Sequence, residues 1–547
     1  SIRYAGKKRV EMSIFFDRRI SRRSEHGSYP ALDPARGYFF LTQMMPLVLE
    51  DIKQYTLLEI LPAYTFRDGA ERVDGVLDGG KGVHDGHLTA KFGITSQLIL
   101  DGTYNPDFSQ VEADAGQVDV NLRYDLFFAE KRPFFLEGSE MFQMAGASDF
   151  LEAVVHTRTI VDPRVGFKLS GKVGKKDTIA SIFALDEAPS SDPLDVPGTD
   201  RYAGVAVLRY KRAVASDGYL GAFVTAREYG GGFNDVAGAD GQVRLTKASQ
   251  LSFHGFGSWT RRGADVAAAE GFALGADYLY DTRNMGITIS FYDISAAFET
   301  DVGYLTRPGV AGLLASVSPR LYPKSRFFRK VVPNLSAAVV KDLPSGLFET
   351  NDALGLTALL PGNTTVQALG RYSTEVFLGQ RFDTSGGLVQ VLSQVTKALY
   401  LRGLYFRGNS IRYLAEPYQG YGNRIMGGLT FKPSEKFDLT GSLTFSDFTR
   451  RSTGEREYSY AIWRGRLTYQ ANKHLFFRGI LEYNAFREEM LTDLLASFTY
   501  IPGTVIQLGY GSLYDRTEWV DGEYRDAGRF LEMKRGLFFK ASYLWRF

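Results

Sequence analysis

The chain closes on GLFFKASYLWRF, residues 536–547. In an extended segment, residues i and i+2 share a face. One face therefore carries Leu537, Phe539, Tyr543, Trp545 and the terminal Phe547, and the other carries Lys540, Ser542 and Arg546. A soluble domain hides such aromatics in a core and ends on something frayed and polar. A strand with lipid on one side and water on the other is written as this one is.

The same alternation recurs upstream. LTGSLTFS (439–446), WRGRLTYQ (463–470), LFFRGILEYN (475–484) and LASFTY (495–500) each put apolar residues on one face and polar residues on the other. Between them, the tight turns KPSEK (432–436), QANKH (470–474) and IPGT (501–504) alternate with looser polar connections. Those connections are SDFTRRSTGEREYS (446–459), NAFREEM (484–490) and the long stretch 514–536. Short turns on one rim and long loops on the other predict an antiparallel up-and-down barrel of the outer-membrane type. Aromatics such as Tyr469, Phe477 and Tyr500 fall near strand ends, where an interfacial girdle sits. In lipid every backbone polar group must be paired, so a spanning sheet has to close on itself. Residues 536–547 read as the closing strand.

Further upstream, FKLSGKVG (167–174), TIASIFALD (178–186), AGVAVLRYKR (203–212) and similar runs carry the count to about 22–26 strands over residues 57–547. No stretch approaches the ~18–20 apolar residues of a membrane-spanning helix. The opening SIRYAGKKRVEM has neither the apolar core nor the cleavage site of a signal peptide, which leads to the expectation that a leader was trimmed before Ser1. With 64 basic and 62 acidic residues the chain has no global attraction to nucleic acid, and none is expected as a partner. With no cysteine there is no disulfide framework and no thiolate metal site.

One stretch departs from the alternation: NPDFSQVEADAGQVDVNLRYDLFFAEKRPFFLEGSEMF, residues 105–142. Hard cations want several carboxylate oxygens, which makes Asp107, Glu112 and Asp114 weak Ca²⁺ candidates. The favoured reading is that these acids pair with arginines such as Arg123 and Arg132, because a buried charge needs a partner. On either reading residues 105–142 are expected to fold into or across the lumen as a constriction. That constriction would carry Asp107, Glu112, Asp114, Arg123, Glu130, Lys131, Arg132 and Glu137.

In this stretch the sequence resembles the outer-membrane barrels catalogued as domain of unknown function 5916, whose most recognisable segment has the form NPDFSQVEAD…FFPEKRPFFLEG. Asn105–Asp114 and Phe127–Gly138 match it, and FETDVGYLTRPG (298–309) adds a further match. The departures are Ala129 in place of a proline and TRTIVDP (157–163) in place of a Ser-Arg-Arg-Ile-Gly run. The resemblance implies a Gram-negative envelope protein and covers nearly all of residues 10–547. It also implies a domain like the family 9 carbohydrate-binding modules ahead of the barrel. EMSIFFDRRISRRSE then reads as the exit from that domain, and residues 1–56 as its extended tail.

The function classes divide on these features. An enzyme is not expected, because no G-x-S-x-G, H-E-x-x-H, phosphate-loop or dinucleotide pattern is present. His84, Asp85 and His87, in GVHDGHLTA, read as a solvated extracellular loop in preference to a metal site. For a channel, Arg464, Arg466, Arg478, Lys540 and Arg546 against Glu482 and Asp493 give a net basic lumen wall and a mild anion preference, unless these charges pair across strands. Passage of a solute is preferred, with oligosaccharide suggested by the family's companion domain. The alternative is an anchor or scaffold subunit of an outer-membrane complex that transports nothing itself. The C-terminus and short turns are expected on the periplasmic side, with Tyr543, Trp545 and Phe547 as the signal to the barrel-insertion machinery. Outer-membrane lipid and lipopolysaccharide are the expected surroundings, an envelope protein or plug a further partner, and no cofactor is expected.

Overall fold

In the computed structural model, the described residues are 9–20, 25–32, 40–51, 57–106, 116–187, 202–215, 217–520 and 523–547. Twenty-four antiparallel strands run from Leu58–Val73 to Glu523–Ser542 and close into one barrel. Val76–Gly79 and Gln380–Asp383 fold back as short flaps, and Trp545–Arg546 prolongs the last strand. The seam joins that last strand to the first, with Lys534 opposite Glu71, Lys540 opposite Thr65 and Trp545 opposite Ile60. The closing-strand reading of residues 536–547 is therefore met. Lys540 is buried, whereas Leu537, Tyr543, Trp545 and Phe547 are exposed.

An outer apolar belt surrounds the ring. Phe167, Leu208, Leu335, Leu354, Trp463 and Leu494 all point away from the interior and are exposed, Leu354 to 67%. Exposed apolar area on this scale has no counterpart on a monomer in water. It is the lipid-facing surface of a membrane barrel, and the pleat delivers it from sequences that alternate.

The two rims differ less than the sequence suggests. Short turns do lie together on the rim that holds the C-terminus, as at 174–176, 435–436 and 502–503. In the last of these Gly503 takes φ 93°, a conformation costly for any other residue. On the other rim several expected loops are strand instead. The stretch 446–459 loops only at 451–455, and 484–490 only at 485–488. Residues 514–520 and 523–536 pair as a tall continuation of the strands Thr504–Val520 and Glu523–Ser542. Polar residues were read as loop there, but a strand that rises above the lipid needs no apolar face. A surface loop expected from DEAPSSDPLDVPGTD (186–200) lies, beyond Glu187, outside the described residues.

The sequence ahead of the barrel is more than an extended tail. Arg9–Ile14 pairs antiparallel with Met45–Glu50, and Phe16–Ile20 with Glu25–Tyr29.

The belt predicts a face-dependent response to charge. Leu481→Arg, on the lipid face, is expected to cost ~2–4 kcal/mol. Ser442→Glu, on the inner face opposite Arg464, is expected to stay within about 0.5 kcal/mol. Urea titration of the protein folded into lipid vesicles measures both.

Candidate functional site: the segment inserted in the barrel

Leu98–Tyr104 and Pro163–Val173 are neighbours in the sheet, yet 58 residues separate them in sequence (105–162). The described part, 116–162, contacts inward-facing groups on strands all around the ring. It runs past the expected end at Phe142 to Asp162, and the contacts are of two kinds.

Toward strands 83–310 the contacts are buried and dense. Lys91, Asp101 and Lys168 stand in register on three adjacent strands. Asp101 lies 3.6 Å from Lys91 and 3.7 Å from Lys168. Above them sits the single helical turn Pro133–Leu136, with proline at its first position, where no amide is missed. Lys168 Nζ donates to the carbonyls of Phe134 (2.5 Å) and Glu137 (2.8 Å), and Lys91 pairs with the Glu137 carboxylate at 2.5 Å. Cations thus satisfy carbonyls that the end of a helical turn leaves open.

Arg132 holds the segment to itself. Its guanidinium donates to both oxygens of Glu130 (2.8 and 2.7 Å) and to the carbonyls of Ile160 and Thr157 (both 2.5 Å), and it lies 4.4 Å from the centre of the Phe135 ring. Thr157 Oγ1 also donates to Glu130, at 2.6 Å. Glu130 and Arg132 are thus a clamp between residues 130–132 and 157–161. Farther on, Arg209 grips Asp240 through two bonds of 2.6 and 2.9 Å, both side chains fully buried, and Asp240 accepts from the Ala145 amide at 2.9 Å. Asp186 accepts from the amides of Val161 and Asp162 at 2.9 and 2.7 Å.

Apolar packing accompanies these bonds. Phe135, Phe142 and Ile160 pack on Ala180, Ile182, Val205 and Val207, which point inward. Leu151 and Val154 pack with Phe223, Phe256 and Phe298. The loop 295–309 folds in as well: Tyr304–Leu305 pairs with Leu151–Ala153, and the Val302 carbonyl accepts from the His156 amide at 2.6 Å. The FETDVGYLTRPG match is the partner of the inserted segment.

Toward the C-terminal strands the contacts are few and polar. Glu482 accepts from the Gly116 amide (3.2 Å) and from Arg464 (2.7 Å). Asp119 accepts from Tyr460 OH at 2.8 Å and pairs with Arg487. Asn121, at φ 60°, bonds the backbone of Ile411 and Tyr413, both at 2.8 Å. Arg123 pairs with Glu375 and donates to the Val376 carbonyl at 2.9 Å.

Two cavities flank the strip 123–131. One, of about 970 Å³, is bounded by Arg123, Asp125, His156, Arg262, Asp301 and Tyr304. The other, of about 500 Å³, is bounded by Gln117, Lys131, Arg402, Met426, Arg464 and Glu482. Phe128 lines both.

The expected site residues fall into place unevenly. Asp107, Glu112 and Asp114 lie outside the described residues. Arg123 and Arg132 have Glu375 and Glu130 as partners. In the supposed basic wall, Arg464 pairs with Glu482 and Arg478 with Asp493 at 3.4 Å, so cross-strand pairing is what the described residues display there. Arg466 lies between Thr440 and Ile480 in register. Arg546 stands opposite Glu59, which is in register with the inward-facing Lys91, so it lies on the inner side at the end of the chain, exposed and bonded to Glu59 at 2.7 Å. His84 and His87 sit on the strand Val83–Gly93, not on a loop, and three positions apart on a strand they face opposite ways. His84 bonds Tyr64 OH at 2.6 Å and His87 bonds Thr65 at 2.8 Å. They cannot share an ion. Phe128 went unnoticed, because nothing in FFAEKRPFF distinguishes one phenylalanine from the next.

The two kinds of contact predict two costs. Arg209→Ala leaves a buried carboxylate without its cation and is expected to cost ~3–5 kcal/mol. Arg487→Ala, at a half-exposed pair, is expected to cost no more than about 1 kcal/mol. Urea unfolding compares them. Acid should loosen the segment. Burial pushes the His156 imidazole below its ordinary value of 6.5, with Arg158 and Arg132 adding to the effect against Glu130. For Glu130 burial acts upward, but the hydrogen bonds from Arg132 and Thr157 and the guanidinium charge hold the carboxyl below its ordinary 4.5. Both groups bind fewer protons folded than unfolded, so both contributions are present at neutral pH and are lost as pH falls, His156 from about 6.5 and Glu130 from about 4.5. Limited proteolysis of the segment should accelerate in those two windows, His156→Gln removing the first and Glu130→Gln the second.

The family model described as "Domain of unknown function (DUF5916)" matches residues 80–147, which hold the strands Val83–Gly93 and Leu98–Tyr104 and the first part of the inserted segment. No curated protein matches the sequence. Among solved structures, the chain is similar to the copper transporter OprC (8% identity over 92% of this chain and 82% of that one, TM-score 0.46). It is similar to the siderophore receptor PirA from Acinetobacter baumannii (8%, 91% and 82%, 0.46). It is also similar to the unliganded ferric citrate transporter FecA (7%, 91% and 80%, 0.46). The matched residues hold the segments Asn105–Asp114 and Phe127–Gly138 on which the resemblance rests, within a chain that folds as an outer-membrane-type β-barrel.

Proposed function

We propose that the barrel passes a solute across the outer membrane, and that the inserted segment narrows the route. The observation that carries this reading is Phe128, which stands between the two cavities on either side of the strip 123–131. The asymmetry of the moorings supports it. Along strands 83–310 the inner wall is sealed by buried ion pairs and apolar packing, which leaves the side of strands 364–484 for passage. There Arg402, Arg424 and Met426 point inward and are exposed.

On this reading residues 105–142 act as a constriction, with Arg123, Glu130, Lys131, Arg132 and Glu137 shaping or holding it. Residues 57–547 act as one unit, preceded by a segment that leads out of another domain. The rim with the C-terminus faces the periplasm, and Tyr543, Trp545 and Phe547 are offered to the insertion machinery. Oligosaccharide as the solute rests on the family's companion domain alone.

The test is conductance in planar bilayers. Phe128→Ala is expected to raise single-channel conductance severalfold, and Phe128→Trp to lower it. Glu130 and Arg132 are poorer probes, because removing the clamp disturbs the whole segment. A barrel silent in all three forms, and carrying stoichiometric partner proteins out of detergent, would instead be an anchor in a larger assembly.

A further inference from the structure

Several charges inside the barrel are matched: Arg464 with Glu482, Arg478 with Asp493, Arg209 with Asp240, and Arg307 of the in-folded loop with Glu349. Three arginines within four consecutive strands of the wall are different. Arg371 on Thr364–Phe377, Arg402 on Leu399–Arg412 and Arg424 on Tyr418–Ser434 have no carboxylate partner among the described residues. Glu375 acts on Arg371 through space, but Arg123 and Tyr413 already engage it. Arg371 and Arg424 repel one another.

The backbone is shaped to accommodate these side chains. The Arg371 guanidinium lies 5.1 Å from the centre of the Phe406 ring, and its Nε is buried without an acceptor. Phe406 stands opposite Arg424 in the ladder. At Gly386, beside Arg371 in register, a Cβ would come within 2.7 Å of the Phe406 ring. At Gly428, opposite Arg402, a Cβ would come within 2.4 Å of Arg402 Nε. Glycine at both positions lets the arginines and the ring lie flat along the wall. Arg402 then reaches the cavity of about 500 Å³, which it shares with Lys131, Gln117 and Gln390.

Unmatched guanidinium groups in a water-filled lumen hold a positive potential, and their planar forks fit the two oxygens of a carboxylate or phosphate. Phe406, Leu404 and Met426 alternate with them and offer an apolar surface beside the charges. We propose that this wall is a binding step for solutes bearing an oxyanion, carboxylate or phosphate, together with a ring or apolar face. The proposal rests on the passage reading and narrows its substrate class.

The experiment uses the full chain, purified in detergent and inserted into planar bilayers, with a heat-shifted gel band as the check on folding. Under a KCl gradient the reversal potential should report chloride favoured over potassium by roughly threefold. In the double variant Arg402→Gln, Arg424→Gln the ratio should fall to about one. D-glucuronate and glucose 6-phosphate should block the current and D-glucose should not, and in the double variant the blocking concentration should rise on the order of tenfold. Block by only one of the two anions assigns the oxyanion and keeps the site. Arg402→Lys should keep the chloride preference and lose much of the block, because an ammonium has no fork. A conducting barrel that favours potassium, or whose selectivity and block are the same in the double variant, overturns the proposal and leaves passage standing. A barrel that conducts nothing overturns passage. Isothermal titration with glucuronate and glucose 6-phosphate then reads the site alone: heat lost in the double variant sustains it, and no heat with wild type refutes it.

Discussion

Backbone pairing inside lipid is the constraint on which the rest depends. A peptide group in hydrocarbon has no water to bond, so the sheet has no edge to spare and the last strand must find the first. The pairing of Lys540 with Thr65 and Trp545 with Ile60 is that closure. Once it is made with twenty-four strands, a second requirement follows. A ring this wide cannot be filled by its own side chains, so whatever occupies the lumen comes from elsewhere in the chain or from outside it. Among the described residues, 116–162 and 295–309 meet that requirement densely on one side and sparsely on the other.

The one-sidedness is written into the strands. In LTGSLTFS the two faces differ cleanly, lipid on one side and wet lumen on the other. In TIASIFALD they do not: Phe183 and Leu185 face out, while Ala180, Ile182 and Ala184 face in and are buried. Loss of alternation in a membrane strand is usually noise, but here it has a cause. The inner face packs on Phe135, Phe142 and Ile160, so it is a protein core and not a pore wall. Where such strands carry charge, the charge is buried and matched, as Arg209 is by Asp240. Where the alternation is clean, the inner charges are less completely buried, and a pair such as Arg478–Asp493 is looser, at 3.4 Å.

This separates what the sequence discloses from what it withholds. Strand identity and closure depend on a period of two, which is local, and they could be read directly. Strand length above the membrane could not, because polar residues such as those of 514–536 suit a solvated hairpin as well as a loop. The inserted segment announced itself through the break at Asn105, but its depth in the chain did not, since HTRTIVDP looks like any connection until Glu130 is found bonded to Thr157. Pairing across the lumen is the least legible of all. That Arg123 meets Glu375, or that Asp119 meets Arg487, follows from the curvature of the whole ring and not from any nearby residue. The two histidines of GVHDGHLTA show the converse. Strand geometry alone, applied once the segment is known to be extended, is enough to part them.

The physical difference between the two sides bears on what can move. A buried ion pair such as Arg209–Asp240 resists separation because each half, once alone, is a charge without solvent. A pair reached by water, such as Asp119–Arg487, gives up little when it opens, because water replaces the partner. The same segment is therefore held by dense packing and buried pairs where it touches strands 83–310, and by fewer, polar contacts where it faces strands 364–484. Any widening of the lumen begins more readily on the sparsely held side, and that is the side where Arg371, Arg402 and Arg424 have no carboxylate partner among the described residues.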